Sequence, residues 1–440
     1  MIFDKAAHKR RMQWFTAARY GMFIHWGLYA IPARGEWHRG WHRMKTEDYM
    51  EYFEEFDPVD YDPKAWAKAA KEAGMKYAVL TAKHHDGFCL FDSNLTDFKA
   101  TNTKAGRDLI REYVEAFRAE GLGVGIYYSI IDWHHPHYPH YDDANHPRRQ
   151  DPEYKDHKYD FNIYLEYMHG QIRELCTNYG NIDILWFDFA YDNLIGEAWK
   201  ATELIKMVRE LQPDVIIDNR LEHQGDPSLR KREPNYYSGD FISPEQLLPT
   251  DGILNEDGER IPWEACITLN DNWGYTAADT NYKPPATVIK KLVECISKDG
   301  NMLLNVGPDA KGNIPQQSLE ILAEVGKWLH KNGNSIYNCG ISDLPKQEWG
   351  RVTQNGKKIY LHVMEPMVGL IPVIGLSGDK VKKVRLLADG SELYTVDDWR
   401  TQHMISNQGE NKPKDLMFIY PGNSHKLPCE IDTVIEITLK

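Results

Sequence analysis

No run of apolar residues in this 440-residue sequence is long enough to cross a bilayer. Met1 to Trp14 sets Lys5, Lys9, Arg10 and Arg11 ahead of no apolar stretch that could act as a secretion signal. No membrane partner and a cytoplasmic location are the corresponding expectations. Positive charge is short as well: 52 Lys and Arg against 65 Asp and Glu leave a net charge of −13, which argues against nucleic acid as a partner. Cysteine is scarce. The six residues Cys89, Cys176, Cys266, Cys295, Cys339 and Cys429 are scattered, mostly inside apolar segments, with no close pairs of the kind that mark a zinc site or a disulfide framework. Reduced, buried thiols are expected. Also lacking are a Gly-rich phosphate loop, a nucleophilic Ser or Cys motif, a His-x-His on the first strand and a His-Glu-x-x-His, so no cofactor is expected. Adjacent His84 and His85 would face opposite ways on a strand and could not share one ion without a turn. The His-rich run from Trp133 to His140 reads as a rigid rim or lid.

What is present is an ordinary globular composition, 42% hydrophobic and 27% charged, on a chain long enough for two domains. From Tyr20 to about Asn332 short apolar runs alternate with helical patterns, the signature of βα units. Strands are predicted at Tyr20–His25, Tyr77–Thr81, Leu122–Tyr128, Ile182–Phe187, Val215–Asp218, Tyr236–Phe241, Glu264–Leu269 and Met302–Val306. Eight strands of this kind suggest a (β/α)8 barrel. Asp62 caps a helix from Lys64 to Ala73, with Pro63 in the first turn and Gly74 after the last. Leu109 to Glu120, ending at Gly121, and Ile289 to Lys298 repeat the plan. After Asn338 the runs shorten and alternate, as in Lys358–Val363, Val381–Leu387 and Val434–Leu439, which reads as an antiparallel β-sandwich that serves for packing. The expected domains are residues 1–338 and 339–440.

Polar residues collect where the predicted strands end: His25 and Trp26; His84, His85 and Asp86; Tyr127, Tyr128 and Ser129; Trp186 and Asp188; Asn219 and Arg220. In a parallel barrel those ends form one rim, and chemistry is done there. Any one of these residues alone is more simply a hydrogen-bonded structural group. Five strands aimed at one rim favour a site. With metal, phosphate and Ser or Cys signatures lacking, paired carboxylates are the chemistry left, and glycoside hydrolysis needs one acid to attack and one to donate a proton. Asp188 ends the apolar run from Ile182, and Arg220, expected on the adjacent strand end, would keep it ionised. Asp183 reads as a loop anchor. Spacing does not choose a partner among Glu222, Glu233, Asp240, Glu245 and Glu264. The 13 Trp and 25 Tyr, many beside His, Asp and Arg, suit sugars. A catalytically weak carbohydrate-binding barrel and a metal-dependent hydrolase are the alternatives from other classes.

The segments that carry these residues resemble glycoside hydrolase family 29, the α-L-fucosidases, over roughly Trp14 to Tyr337. The resemblance rests on Arg19-Tyr20-Gly21-Met22-Phe23-Ile24-His25-Trp26-Gly27, Gly35-Glu36-Trp37, Lys83-His84-His85-Asp86-Gly87-Phe88, Tyr127-Tyr128-Ser129, Leu185-Trp186-Phe187-Asp188 and Asn301-Met302-Leu303-Leu304-Asn305-Val306-Gly307-Pro308. It implies a (β/α)8-like (TIM) barrel followed by an antiparallel β-sandwich, and retaining hydrolysis of terminal α-L-fucosides through a covalent fucosyl-enzyme. By position it implies Asp188 as nucleophile and His25, Glu36, Trp37, His84, His85, Tyr127, Trp186 and Arg220 as fucose-binding residues. Glu245, in Gly239-Asp240-Phe241-Ile242-Ser243-Pro244-Glu245-Gln246, looks like the acid/base, with Glu264 in reserve. Retention sets the two carboxyls about 5 to 5.5 Å apart. Trp186 or Phe187 would bury the C5 methyl of fucose while histidines address its hydroxyls. Structural alternatives exist: Glu36 could pair with Arg34 or Arg39, Trp37 could pack on Trp41 at the rim, and Arg220 could pair with Asp218. The expected substrates are fucosylated oligosaccharides or glycoconjugates, while a transfucosidase or an L-galactoside hydrolase would use the same machinery. A homo-oligomer, whose neighbouring loops could complete the site, stays open. Family members often carry Gly after the nucleophile; this chain has Phe189, then Ala190 and Tyr191.

Overall fold

The computed structural model describes the chain except for Met1, Asp142, Tyr191, Asp192, Gln408 and residues 410–414 and 423–425, so Tyr191 lies outside the described residues. Seven strands form the first sheet: β1 Tyr20–Ile24, β2 Tyr77–Lys83, β3 Gly123–Ser129, β4 Ile184–Asp188, β5 Ile216–Ile217, β6 Glu264–Thr268 and β7 Asn301–Val306. Their order is β5-β4-β3-β2-β1-β7-β6. The pairs β1–β2, β1–β7, β2–β3, β3–β4 and β4–β5 run parallel. Every residue in these strands except Gly123 is buried. That is why they read as unbroken apolar runs, as a parallel sheet covered on both faces requires.

The helices between strands follow from their punctuation. Asp62 accepts from the amides of Lys64 and Ala65 to open Pro63–Glu72, and Gly74 at φ +86° ends the turn. Leu109–Ala119 is capped by Asp108 and buries Leu109, Ile110, Tyr113, Val114, Ala116 and Phe117 along one face. Each large apolar side chain so buried contributes about 1.5 to 3 kcal/mol. The Tyr113 hydroxyl donates to the carbonyls of Ala78 and Gly125, which fixes that helix over β2 and β3.

The strand expected at Tyr236–Phe241 is a correction. Among the described residues the sheet has seven strands, and residues 236–237 turn. What joins the two edges is the segment 241–245, bridged from Phe241 to Asp218 on one side, and from Ile242 to Trp263 and Glu245 to Cys266 on the other. Backbone bonds run between this segment and Pro262 and β6, with the Ile242 amide donating to the Pro262 carbonyl, Glu264 to Ile242, Cys266 to Pro244 and Gln246 to Cys266. Side chains and a proline explain why the pairing is broken into isolated bridges. Asp240 accepts from the amide of Ile217 at 2.9 Å, Asn219 accepts from the amide of Ser243 at 2.9 Å, and Pro244 has no N–H to give. The approach is also tight: a Cβ on Gly239 would lie 2.3 Å from the Asp218 carbonyl oxygen.

By compactness the chain divides into one unit of Met1–Phe15, Tyr20–Lys283 and Met302–Ala323, and another of Thr16–Arg19, Pro284–Asn301 and Glu324–Lys440. In the second, β8 Gly340–Ile341, β9 Gly350–Asn355, β10 Lys358–Val363, β12 Val381–Leu386 and β15 Thr433–Leu439 form an antiparallel sheet in the order β12-β15-β10-β9-β8. A three-stranded antiparallel sheet holds β11 Ile371–Ile374, β14 Leu416–Tyr420 and β13 Tyr394–Thr395. Ile359, Leu361 and Ile437 from the first sheet share one buried cluster with Ile371, Val373 and Ile419 from the second. No helix among the described residues is long and apolar enough to cross a membrane.

Candidate active site

A cavity of about 630 Å³ opens where the strands of the parallel sheet end. Alternation along each strand decides which side chains reach it. Phe23 and His25, Tyr127, and Trp186 and Asp188 line it. Their neighbours turn away: the Trp26 indole donates to the Asp309 carbonyl, the Tyr128 hydroxyl bonds Gln171, and Phe187 is buried off the cavity. Of the two residues offered for the C5 methyl, only Trp186 reaches it. His84 and His85 follow the end of β2, beyond a register shift against β3 between Thr81 and Lys83. Freed from the strand's alternation, both rings reach the cavity, 4.0 Å apart between centroids.

Three charged groups meet in this cavity. Arg220 Nη1 lies 2.8 Å from Asp188 Oδ1 and 3.0 Å from Glu245 Oε2. The two oxygens cannot be farther apart than those distances laid end to end. The shared nitrogen thus brings the two carboxyls together on one cation, as a pair of acids that act on one glycosidic bond requires. The Tyr127 hydroxyl donates to Asp188 Oδ2 at 2.8 Å. Burial pushes the Asp188 pKa up, but the Arg220 charge and the hydrogen bonds from Arg220 and Tyr127 outweigh it and hold the carboxyl below its ordinary value. Arg220 stacks on Trp186 with its guanidinium carbon 4.3 Å from the ring centroid. Asp218 accepts instead from the amide of Phe187.

The cavity also sorts the acids that spacing left unresolved, because Glu245 alone among them lines it. Glu222 has both oxygens engaged, by the Ser228 amide and Asn235. Asp240 is buried between Arg11 and Arg209. Glu233 is exposed. Glu264 is fully buried and accepts from Tyr77, and burial pushes its pKa up to about 8. The Glu245 side chain keeps 41% of its surface exposed, so it meets both the cavity and solvent.

His25 and His85 are neutral acceptors. Burial brings the pKa of His25 down to about 4 and that of His85 down to about 3. Asn305 Nδ2 donates to the Trp273 carbonyl, so its Oδ1 accepts from His25 Nδ1 at 2.7 Å and leaves Nε2 without a proton. Ser129 donates its hydroxyl proton to the Ile131 carbonyl, so it accepts from His85 Nδ1 at 2.8 Å, and here too Nε2 is bare. Glu36 accepts from the Gly274 amide at 2.7 Å, while Arg39 spends its guanidinium on the Asp86 and Trp133 carbonyls and Thr46. Trp37 lines the cavity and stacks on Trp41, 6.4 Å away and 18° from parallel.

A sequence profile described as Alpha-L-fucosidase matches residues 3–334. The chain belongs to the α-L-fucosidase family. Among solved fucosidases, isoenzyme 1 from Paenibacillus thiaminolyticus is 61% identical, with TM-score 0.94 over 99% of this chain and 100% of that one. A family 29 fucosidase from Bacteroides thetaiotaomicron, trapped as a covalent intermediate with 2-fluoro-fucosyl fluoride, is 28% identical, with TM-score 0.81 over 100% and 98%. Human plasma α-L-fucosidase is 30% identical over 74% of this chain and 68% of its own length. In this fucosidase fold His25, Glu36, Trp37, His84, His85, Tyr127, Trp186 and Arg220 line the cavity together with Asp188 and Glu245, and Phe187 does not. Sequence reasoning missed Phe23, Asn145, His223, Gln224, Cys266 and Trp273. Two could have been found: Phe23 shares a strand face with His25, and Trp273 lies four residues past the predicted end of β6.

Proposed function

We propose that the protein removes terminal α-L-fucosyl groups from fucosylated oligosaccharides or glycoconjugates by double displacement. The observation that carries this is the single Arg220 nitrogen shared by Asp188 and Glu245 in the cavity. Asp188, ionised by its partners, attacks C1 and forms the fucosyl-enzyme. Glu245 protonates the leaving oxygen and then takes a proton from the water that hydrolyses the ester. His25 and His85 accept from ring hydroxyls through their bare nitrogens. The methyl at C5 packs against Phe23, Trp186 and Trp273, the two indoles lying 5.1 and 5.9 Å from the Phe23 ring.

The finer architecture belongs to the same proposal. The bridges of residues 241–245 support a closed (β/α)8-like barrel, and the cluster shared by the two antiparallel sheets supports a β-sandwich. The onset of antiparallel pairing at Gly340 supports the division into residues 1–338 and 339–440. Six free thiols, five of them buried, support a reducing, cytoplasmic setting.

Release of L-fucose from an aryl α-L-fucoside tests the activity, and a leaving-group series tests the roles. Glu245→Ala should lose most turnover on fucosides with poor leaving groups and keep it on those with good ones. Equal loss across the series would make Glu245 a binding residue.

A further inference from the structure

Phe189 follows Asp188 directly and holds φ at +83°, in the left-handed region that bulky side chains rarely occupy. Glycine would take this backbone without strain, so the ring serves something other than the turn. It packs against His85 with 4.7 Å between centroids and 64° between planes, and against Trp37 at 5.3 Å and 53°. Trp37 and Trp133 approach His85 as well, at 5.1 and 5.5 Å. Trp133 is buried, whereas Trp37 and Phe189 are half-buried. These two rings therefore stand between His85 and water.

The enclosure matters because of where His85 points. Its bare Nε2 lies 4.0 Å from Asp188 Oδ2. Two acceptors at that separation gain nothing from each other, but a sugar hydroxyl can donate to either. Were Nε2 protonated, the imidazolium would pair with Asp188, removing an acceptor and tying up the nucleophile. Asp188 favours that protonation, while Lys83, His25, His84 and Arg220 oppose it. Loss of water from around the ring is the largest influence against it.

We infer that Phe189 is a positioning residue: its ring, held in strained backbone, seals His85 so that Nε2 remains an acceptor for a substrate hydroxyl beside the nucleophile. This rests on the reading of Asp188 as the nucleophile of a retaining fucosidase. Its signature is a pH profile. Phe189→Gly relieves the strain but admits water, whereas Phe189→Leu keeps an apolar cover. The acid limb of kcat/KM on an aryl α-L-fucoside should move up by about one pH unit or more in the Gly variant and stay near its original position in the Leu variant. The His85 imidazole, followed by NMR and assigned with His85→Gln, should titrate higher in the Gly variant by a similar amount. An acid limb that stays put while activity falls equally at every pH, or one that moves equally in both variants, overturns the inference. The NMR titration reads the seal even if no fucoside is turned over, so failure of the fucosidase reading is distinguishable.

Discussion

In the antiparallel unit, His362 bonds Asp432 through Nδ1 at 2.7 Å and Thr353 through Nε2 at 3.2 Å, with all three residues fully buried. In the parallel unit, His85 bonds Ser129 through Nδ1 and turns Nε2 toward Asp188 across 4.0 Å, with a cavity beside it. Both pairs join a buried histidine to an aspartate. The first has both ring nitrogens occupied and nowhere for a ligand to enter. The second keeps a nitrogen and a carboxylate oxygen facing open space. Burial and charge therefore do not separate scaffold from chemistry here; an uncommitted lone pair on a cavity wall does.

The largest test of this contrast is Asp188→Ala. It should cut kcat/KM on an aryl α-L-fucoside by roughly 10⁴-fold or more while the melting temperature changes little. Near-native turnover would remove Asp188 from the chemistry and collapse the contrast. His362→Ala should do the reverse. Leaving Asp432 buried without its partner costs about 2 to 4 kcal/mol, visible as a lower urea midpoint, with turnover per folded molecule preserved. Lost activity without lost stability would mean the closed pair is not merely scaffold. On turnover the smallest effect is expected at Glu264, a buried acid that does not line the cavity. Its folded pKa of about 8 lies above the ordinary 4.5, so its contribution to stability is full below pH 4.5 and is lost as pH rises through 8. Glu264→Gln should flatten the pH dependence of the urea midpoint over that window. An unchanged slope would show that Glu264 is ionised in the folded protein.

Much of this was legible in the sequence because buried parallel strands leave a plain trace. β1, β2, β4 and β7 appear as apolar runs whose next polar residues reach the cavity or its supports. The helix cap at Asp62 is equally readable. The strand expected at Tyr236–Phe241 failed because side chains of Asp240 and Asn219 take the backbone amides that a ladder would use, and periodicity does not register such a substitution. The ambiguity among five acids has a related cause: spacing says nothing about which carboxylates are already satisfied, as Glu222 and Asp240 are. Phe187 was offered beside Trp186 for the methyl, and one step of strand alternation separates them. Asn145, His223 and Gln224 come from connecting segments that no periodic pattern could bring to the cavity.

The bridged segment 241–245 gives the two carboxylates different mechanical footing. Asp188 is anchored in a ladder running through β3, whereas Glu245 rides a seam whose backbone bonds to β6 are interrupted at Pro244. A seam of that kind tolerates insertion or shortening at small expense to the rest of the sheet. On the proposed roles, a change of length there shifts the proton donor relative to the aglycone while the attacking group stays where it is, so the fold is rigid at the bond to be broken and adaptable around the rest of the substrate.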